Sequence, residues 1–217
     1  YALDLLLNQD ASFYLDTRGL RTWLKEHAAG KDVLNTFAYT GSLGVAALAG
    51  GASRVVQIDR NARFLELAQR SAALNRLDLG RMHSTAVDFF VGVGQLKSRR
   101  ESFDIVVLDP PFFSITEKGK VDQVTEAARL INKVRPLVRD GGWLVSVNNA
   151  LFLSGADYLA SLEGLCSSGY LSIEKLIAVP QDAAGYVEAT ATGWPVDPAP
   201  FNYPTKIAVL RVKKKTN

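Results

Sequence analysis

Apolar residues fall along this chain in two alternating rhythms. Short runs rich in β-branched or other apolar residues occupy 32–37, 54–59, 103–108, 143–147, 172–179 and 207–212, and a weaker, more polar run lies at 82–86. Such runs, bounded by turn residues, predict strands. Between them lie segments whose apolar residues recur three and four apart, at 42–49, 61–75, 89–96, 122–138 and 155–167. In the second of these, Phe64, Leu65, Ala68 and Ala72 share one face, and Asn61 stands where an N-cap belongs. Strict alternation of strand and helix predicts an α/β fold with a parallel sheet covered by helices on both faces. A further helix, 19–29, precedes the first strand. The segment 180–206 shows neither rhythm and holds Pro195, Pro198, Pro200 and Pro204. A connection of that length inside a compact domain is expected to be functional.

The fourth strand, 103–108, runs directly into Asp109-Pro110-Pro111-Phe112. Proline fixes φ and restricts the residue before it, so the strand stops there and Asp109 is held extended. That places a carboxylate, free carbonyls and an aromatic ring at the carboxyl end of a central strand, where open α/β sheets bind ligands. The first strand leads into Ala38-Tyr39-Thr40-Gly41-Ser42, a glycine turn opening a helix. It is neither the Gly-x-Gly-x-x-Gly of nicotinamide sites nor a phosphate loop. The second strand ends in Asp59, at the spacing from the glycine turn that suits a ribose-binding acid. Asp88 follows the third strand. Both acids also stand where a helix cap is needed, so each has a structural and a ligand-binding reading.

Composition narrows the chemistry. The 217 residues, 47% of them hydrophobic, suit one domain with a sizeable core. The net charge of +3 permits a nucleic-acid partner without requiring one. A single cysteine, Cys166, and two histidines, His27 and His83, leave no disulfide and argue against a metal centre. No apolar run reaches membrane-spanning length, and a cytoplasmic setting is expected.

Three blocks carry a family resemblance: Phe13-Tyr14-Leu15-Asp16-x-Arg18, Leu34-Asn35-x-Phe37-x-Tyr39-Thr40-Gly41, and Asp109-Pro110-Pro111-x-Phe113. Together they resemble class I S-adenosylmethionine (SAM) methyltransferases, and among these the bacterial large-subunit ribosomal RNA methyltransferases. The resemblance implies a Rossmann-like, three-layer αβα fold with a seven-stranded, mostly parallel sheet whose last strand is antiparallel. It implies that 1–30 form an extension packing over the cofactor site and 31–217 the methyltransferase domain. It further implies SAM as cofactor and RNA as substrate, with no metal and no membrane. The implied cofactor contacts are Tyr14, Asp16, Arg18, Asn35, Phe37, Tyr39, Thr40, Gly41, Ser42, Asp59, Arg60, Asp88 and Asp109. The implied catalytic group is Asp109, Pro110, Pro111 and Phe112, with Phe113, Lys118, Asn148 and Asn149 toward the substrate. Of the two phenylalanines after the prolines, one is expected to stack on a base and the other to plug the core.

Two branches of that family differ in chemistry. One carries an additional PUA domain and methylates carbon 5 of cytosine, which requires a cysteine nucleophile after the fifth strand. Here that position reads Ser146-Val147-Asn148-Asn149-Ala150. Cys166 falls on a helix, with a structural role expected. The Asn148-Asn149 pair instead resembles the guanine-N7 branch. The expected reaction is therefore methylation of a base nitrogen in ribosomal RNA. A protein or small-molecule methyltransferase, or a cytosine-type enzyme lacking its cysteine, are the alternatives.

Overall fold

The computed structural model describes residues 1–7, 12–184 and 203–214. Its main sheet has seven strands: β1 (Asp32–Thr36), β2 (Arg54–Asp59), β3 (Met82–Ala86), β4 (Phe103–Leu108), β7 (Val138–Asn148), β8 (Leu171–Ile177) and β9 (Lys206–Val212). Their order is β3-β2-β1-β4-β7-β9-β8. β9 is antiparallel to both neighbours and the remaining pairings are parallel. This is the Rossmann-like plan expected.

The apolar runs are buried on both faces, and the period of two divides them between two cores. Val33, Val55, Ile105, Val107 and Val145 point to one face. Leu34, Val56, Val106, Leu108 and Leu144 point to the other. Helices α1 (Arg18–His27), α2 (Ser42–Ala49) and α3 (Ala62–Leu74) cover the first face, through Leu20, Leu24, Leu43, Ala47 and Ala68. Helices α4 (Phe89–Ser98), α5 (Ala127–Val134) and α6 (Gly155–Cys166) cover the second, through Val93, Leu130, Ile131, Tyr158 and Leu162. A short α7 (Gln181–Ala184) follows β8.

The region 113–138 departs from expectation. Phe113–Thr116 (β5) and Gly119–Asp122 (β6) form a separate antiparallel hairpin where a loop and a helix start were expected. The helix is confined to Ala127–Val134, and Pro136 sits in the following 3₁₀ turn. A proline there removes the amide that a longer helix would need. The hairpin is seated by Gly119, where a Cβ would lie 2.6 Å from the Phe90 ring, and by buried Val121. Most of the proline-rich segment, 185–202, lies outside the described residues.

Candidate functional site

The strand order reverses between β1 and β4, since β2 lies outside one and β7 outside the other. Their carboxyl ends diverge there and leave a crevice. A cavity of about 370 Å³ opens at that point, within the size range of small-molecule sites. Its walls come from the β1–α2 turn, the ends of β2, β3 and β4, the β5–β6 hairpin and the segment before α1.

The β1–α2 turn is held in an uncommon backbone. Phe37, Tyr39 and Gly41 have φ of 54°, 50° and 72°. The left-handed region costs a non-glycine residue about 1–2 kcal/mol, so surrounding bonds must hold it. Ala38 donates to the Ile58 carbonyl at 2.8 Å, and the Tyr39 amide donates to Asp59 Oδ2 at 2.7 Å. The Thr40 hydroxyl donates to the Ser12 carbonyl at 2.8 Å. Phe37, Tyr39, Thr40 and Ser42 then line the cavity. Gly41 does not. Its missing side chain makes room for helix α3, because a Cβ would lie 2.3 Å from Ala68 Cβ.

Asp88 carries both readings, whereas α3 is capped by the Asn61 side chain, which accepts from the Arg63 amide, and Asp59 braces the turns on either side of its strand end. Asp59 accepts from the Tyr39 amide and, at 2.9 Å, from the Asn61 amide. Burial raises its pKa, and those backbone donors oppose the rise. Asp88 caps α4 by accepting from the Phe90 amide at 2.8 Å. Both line the cavity, and a carboxylate has lone pairs left for a ligand hydroxyl or amine. Ile58, Phe64, Val87 and Phe89 supply apolar wall between them.

Across the cavity stands Asp109. Burial pushes its pKa up to about 7, and the charge of Asp16 adds to the rise. Asp16 accepts a hydrogen bond from the Thr205 hydroxyl through Oδ2 at 2.6 Å. Its Oδ1 is buried without a hydrogen-bond partner. An orphaned acceptor beside a second acid is what a cationic ligand would satisfy.

Gln123, which the sequence did not single out, ties together the wall that follows Asp109. Its Nε2 donates to the Pro110 carbonyl and, at 3.1 Å, to Asn149 Oδ1, while its Oε1 accepts from the Asn149 amide at 2.9 Å. Pro110, Pro111 and Asn149 thereby form one wall. Its signal in the sequence is slight, since a lone glutamine after the hairpin marks nothing by itself.

Of the residues named from sequence, Tyr14, Asp16, Phe37, Tyr39, Thr40, Ser42, Asp59, Arg60, Asp88, Asp109, Pro110, Pro111 and Asn149 line the cavity. Seven lie elsewhere. Arg18 forms a paired contact with Asp182, at 2.6 and 3.0 Å, on the surface. Asn35 is buried in β1 and donates to Gln57 Oε1 at 3.3 Å. Gly41 packs against α3, as above. Asn148 is buried and shapes the chain, donating to the Gln123 carbonyl and accepting from the Ala150 amide, both at 2.9 Å. Lys118 sits at the tip of the hairpin. Neither phenylalanine plugs the core: Phe112 and Phe113 are 41% and 51% exposed. The hairpin's period of two explains Phe113, since it and Ile115 point outward while Ser114 and Thr116 face the cavity. Sequence reasoning also missed Thr17, Phe64, Phe90, Val121 and Thr205, which reach the cavity from distant segments.

No thiol lines the cavity. Cys166 lies on α6, and burial raises its thiol pKa. Among the described residues no group of three or more histidine, cysteine or acidic side chains is placed to hold a metal ion. None of the described helices is long and apolar enough to cross a membrane.

A crevice at the sheet's switch point, with acids on three strand ends, defines a nucleotide-type ligand site of the Rossmann-like class. The family model for S-adenosylmethionine-dependent methyltransferases matches residues 1–184, and the chain belongs to that family. The ribosomal RNA large subunit methyltransferase I of Yersinia pseudotuberculosis is 33% identical over 145 residues, 66% of this chain and 36% of that protein. The chain thus spans about a third of the length of the curated relatives it matches. Among solved structures, SMU.776 in complex with SAH superposes with a TM-score of 0.80 at 24% identity, covering 93% of this chain and 50% of that one. The SAM-dependent methyltransferase from Agrobacterium tumefaciens superposes at 0.67 with 19% identity, covering 95% and 64%. The cavity fits the family's cofactor: SAM carries a sulfonium and an ammonium, and the pocket offers Asp16 Oδ1 without a partner and Asp109 beside it.

Proposed function

We propose that this chain transfers a methyl group from SAM to a nitrogen of a base in ribosomal RNA. The observation that carries the reading is the acceptor wall: Asp109, the Pro110 carbonyl and the Asn149 amide meet at one end of the cavity, and no thiol is among them. Methylation of a pyrimidine carbon needs a nucleophile to add to the ring, whereas a ring nitrogen carries its own lone pair.

When bound, SAM supplies an electrophilic methyl on a positively charged sulfur. Asp59 and Asp88 would accept hydrogen bonds from the cofactor's ribose and adenine, with Ile58, Val87 and Phe89 against the flat ring. Asp16 and Asp109 would face its cationic groups. Transfer by in-line displacement depends mainly on alignment, and Gln123 fixes the distance between the Pro110 and Asn149 sides of the acceptor wall. An exocyclic amine would lose a proton after attack. Asp109, held ionised beside the bound cation, would accept it. A ring nitrogen would need only the hydrogen bonds.

The relatives' name supports an RNA substrate, and the net charge of +3 is compatible with one. Calorimetry with SAM tests the cofactor, and mass mapping of protein-free ribosomal RNA after incubation with chain and SAM tests the acceptor. The expected result is micromolar binding and one new methyl on a base nitrogen. Absence of SAM binding, or a methyl found on cytosine carbon 5, would overturn the reading.

A further inference from the structure

Two aromatic rings stand at the mouth of the acceptor wall and do nothing for the core. Phe112 is 41% exposed and Phe152 63% exposed, and their centroids lie 6.2 Å apart at an interplanar angle of 61°. Phe112 follows directly on the cavity-lining Pro110-Pro111, and Phe152 lies three residues beyond the cavity-lining Asn149. Exposed phenylalanine contributes little to folding, and a pair set beside a ligand cavity marks a contact surface.

The loop that presents Phe152 is held with unusual firmness. Lys206, which is fully buried, donates from Nζ to the Ala150 carbonyl at 2.7 Å and to the Leu153 carbonyl at 2.6 Å. The Tyr203 amide donates to the Leu151 carbonyl at 2.9 Å. Three carbonyls within four residues, those of Ala150, Leu151 and Leu153, are therefore pinned around a ring left in solvent. The loop carrying Phe112 is fixed to the same frame, because Gln123 bonds both the Pro110 carbonyl and Asn149, and its amide bonds the Phe112 carbonyl at 3.1 Å. The two rings are thus set at a defined separation before any substrate arrives. Burying a lysine is costly unless its donors are satisfied, and here that cost is met by holding an exposed loop.

We propose that Phe152, held opposite Phe112 by the Lys206 clamp, is a stacking contact for the unpaired RNA base that enters the cavity. A base has a flat face to lie on a ring and a polar edge to meet Asn149 and the Pro110 carbonyl. Single-stranded nucleic acid is recognised in this way, by stacking on exposed aromatic rings. The inference rests on the proposed function for the identity of the substrate and adds a residue and a role to it.

The test uses the whole chain saturated with SAH, a short single-stranded RNA carrying 2-aminopurine, and fluorescence quenching, which reports stacking rather than phosphate contact. The expected result is quenched binding by the unaltered chain. Phe152→Ala should weaken it about tenfold with loss of the quench. Phe152→Trp should restore both, and calorimetric SAH affinity should stay unchanged in each variant. Binding without quench in the unaltered chain, no binding at all, or an unaltered affinity in Phe152→Ala would overturn the inference. Failure of the proposed function reads differently: SAM would fail to bind, or methyl would appear on cytosine carbon 5, whatever the oligonucleotide does.

Discussion

The charge of Asp16, in the segment before α1, raises the cost of ionising Asp109 at the end of β4. Both acids line the same cavity. Such a pair favours positive ligands and couples their binding to a proton.

The pH dependence of binding follows from that coupling. Asp109 rises from 3.8 to about 7 in the empty site, so below pH 7 it holds a proton that the unfolded chain has lost. A cationic ligand favours the ionised form and must expel that proton. SAM affinity should therefore rise with pH up to about 7, by at most tenfold per unit, and level off above it. SAH lacks the sulfonium charge and should follow a shallower curve. Calorimetry of both ligands between about pH 5.5 and about pH 8 checks this; parallel curves, or no flattening in Asp109→Asn, would count against it.

Asp59→Ala should abolish measurable SAM binding. The substitution removes a cavity-lining acid and also leaves the Tyr39 and Asn61 amides without their acceptor. Each lost partner costs about 1–3 kcal/mol, and the left-handed backbone at Tyr39 loses its restraint. Near-normal SAM affinity in a folded variant would show that Asp59 only braces the Tyr39 and Asn61 turns.

Gln123→Leu separates positioning from binding. It breaks the bonds to the Pro110 carbonyl and to Asn149 while leaving every cavity acid in place. Methyl transfer should fall at least tenfold in kcat, with SAM affinity within about twofold of normal and stability lowered by about 1–3 kcal/mol. Equal losses in SAM affinity and kcat would point instead to general damage.

Cys166→Ser should leave methyl transfer largely intact. The thiol lies on α6, outside the cavity, and its raised pKa disfavours the nucleophilic thiolate. Loss of activity with fold and SAM binding preserved would restore a cysteine mechanism.

The sequence made the sheet legible because its central strands β1, β2, β4, β7 and β9 are buried on both faces. Runs such as Ile105-Val106-Val107-Leu108 have no other stable place, and their period of two divides the core between two layers. The strand ends were legible for a related reason. Asp59 and Asp109 each stop an apolar run with a polar group, which a parallel sheet must place at its carboxyl edge. The hairpin Phe113–Thr116 and Gly119–Asp122 was not legible. Its strands are four residues each, its turn lacks an Asn-Gly signal, and it is seated by Phe90 from a different helix.

What the sequence alone determined was the fold plan, the acids at the strand ends and the absence of a thiol where a carbon-5 mechanism needs one. Tertiary structure decided the rest, because those contacts join segments whose spacing in sequence carries no signal. It turned Gly41 toward α3, sent Arg18 to Asp182 and Phe113 to solvent, and brought Thr205 to Asp16. It set Gln123 between Pro110 and Asn149 and placed buried Lys206 beneath the loop that carries Phe152. Local pattern fixes which residues are buried or end a strand; which side chains meet across the crevice depends on how the layers pack.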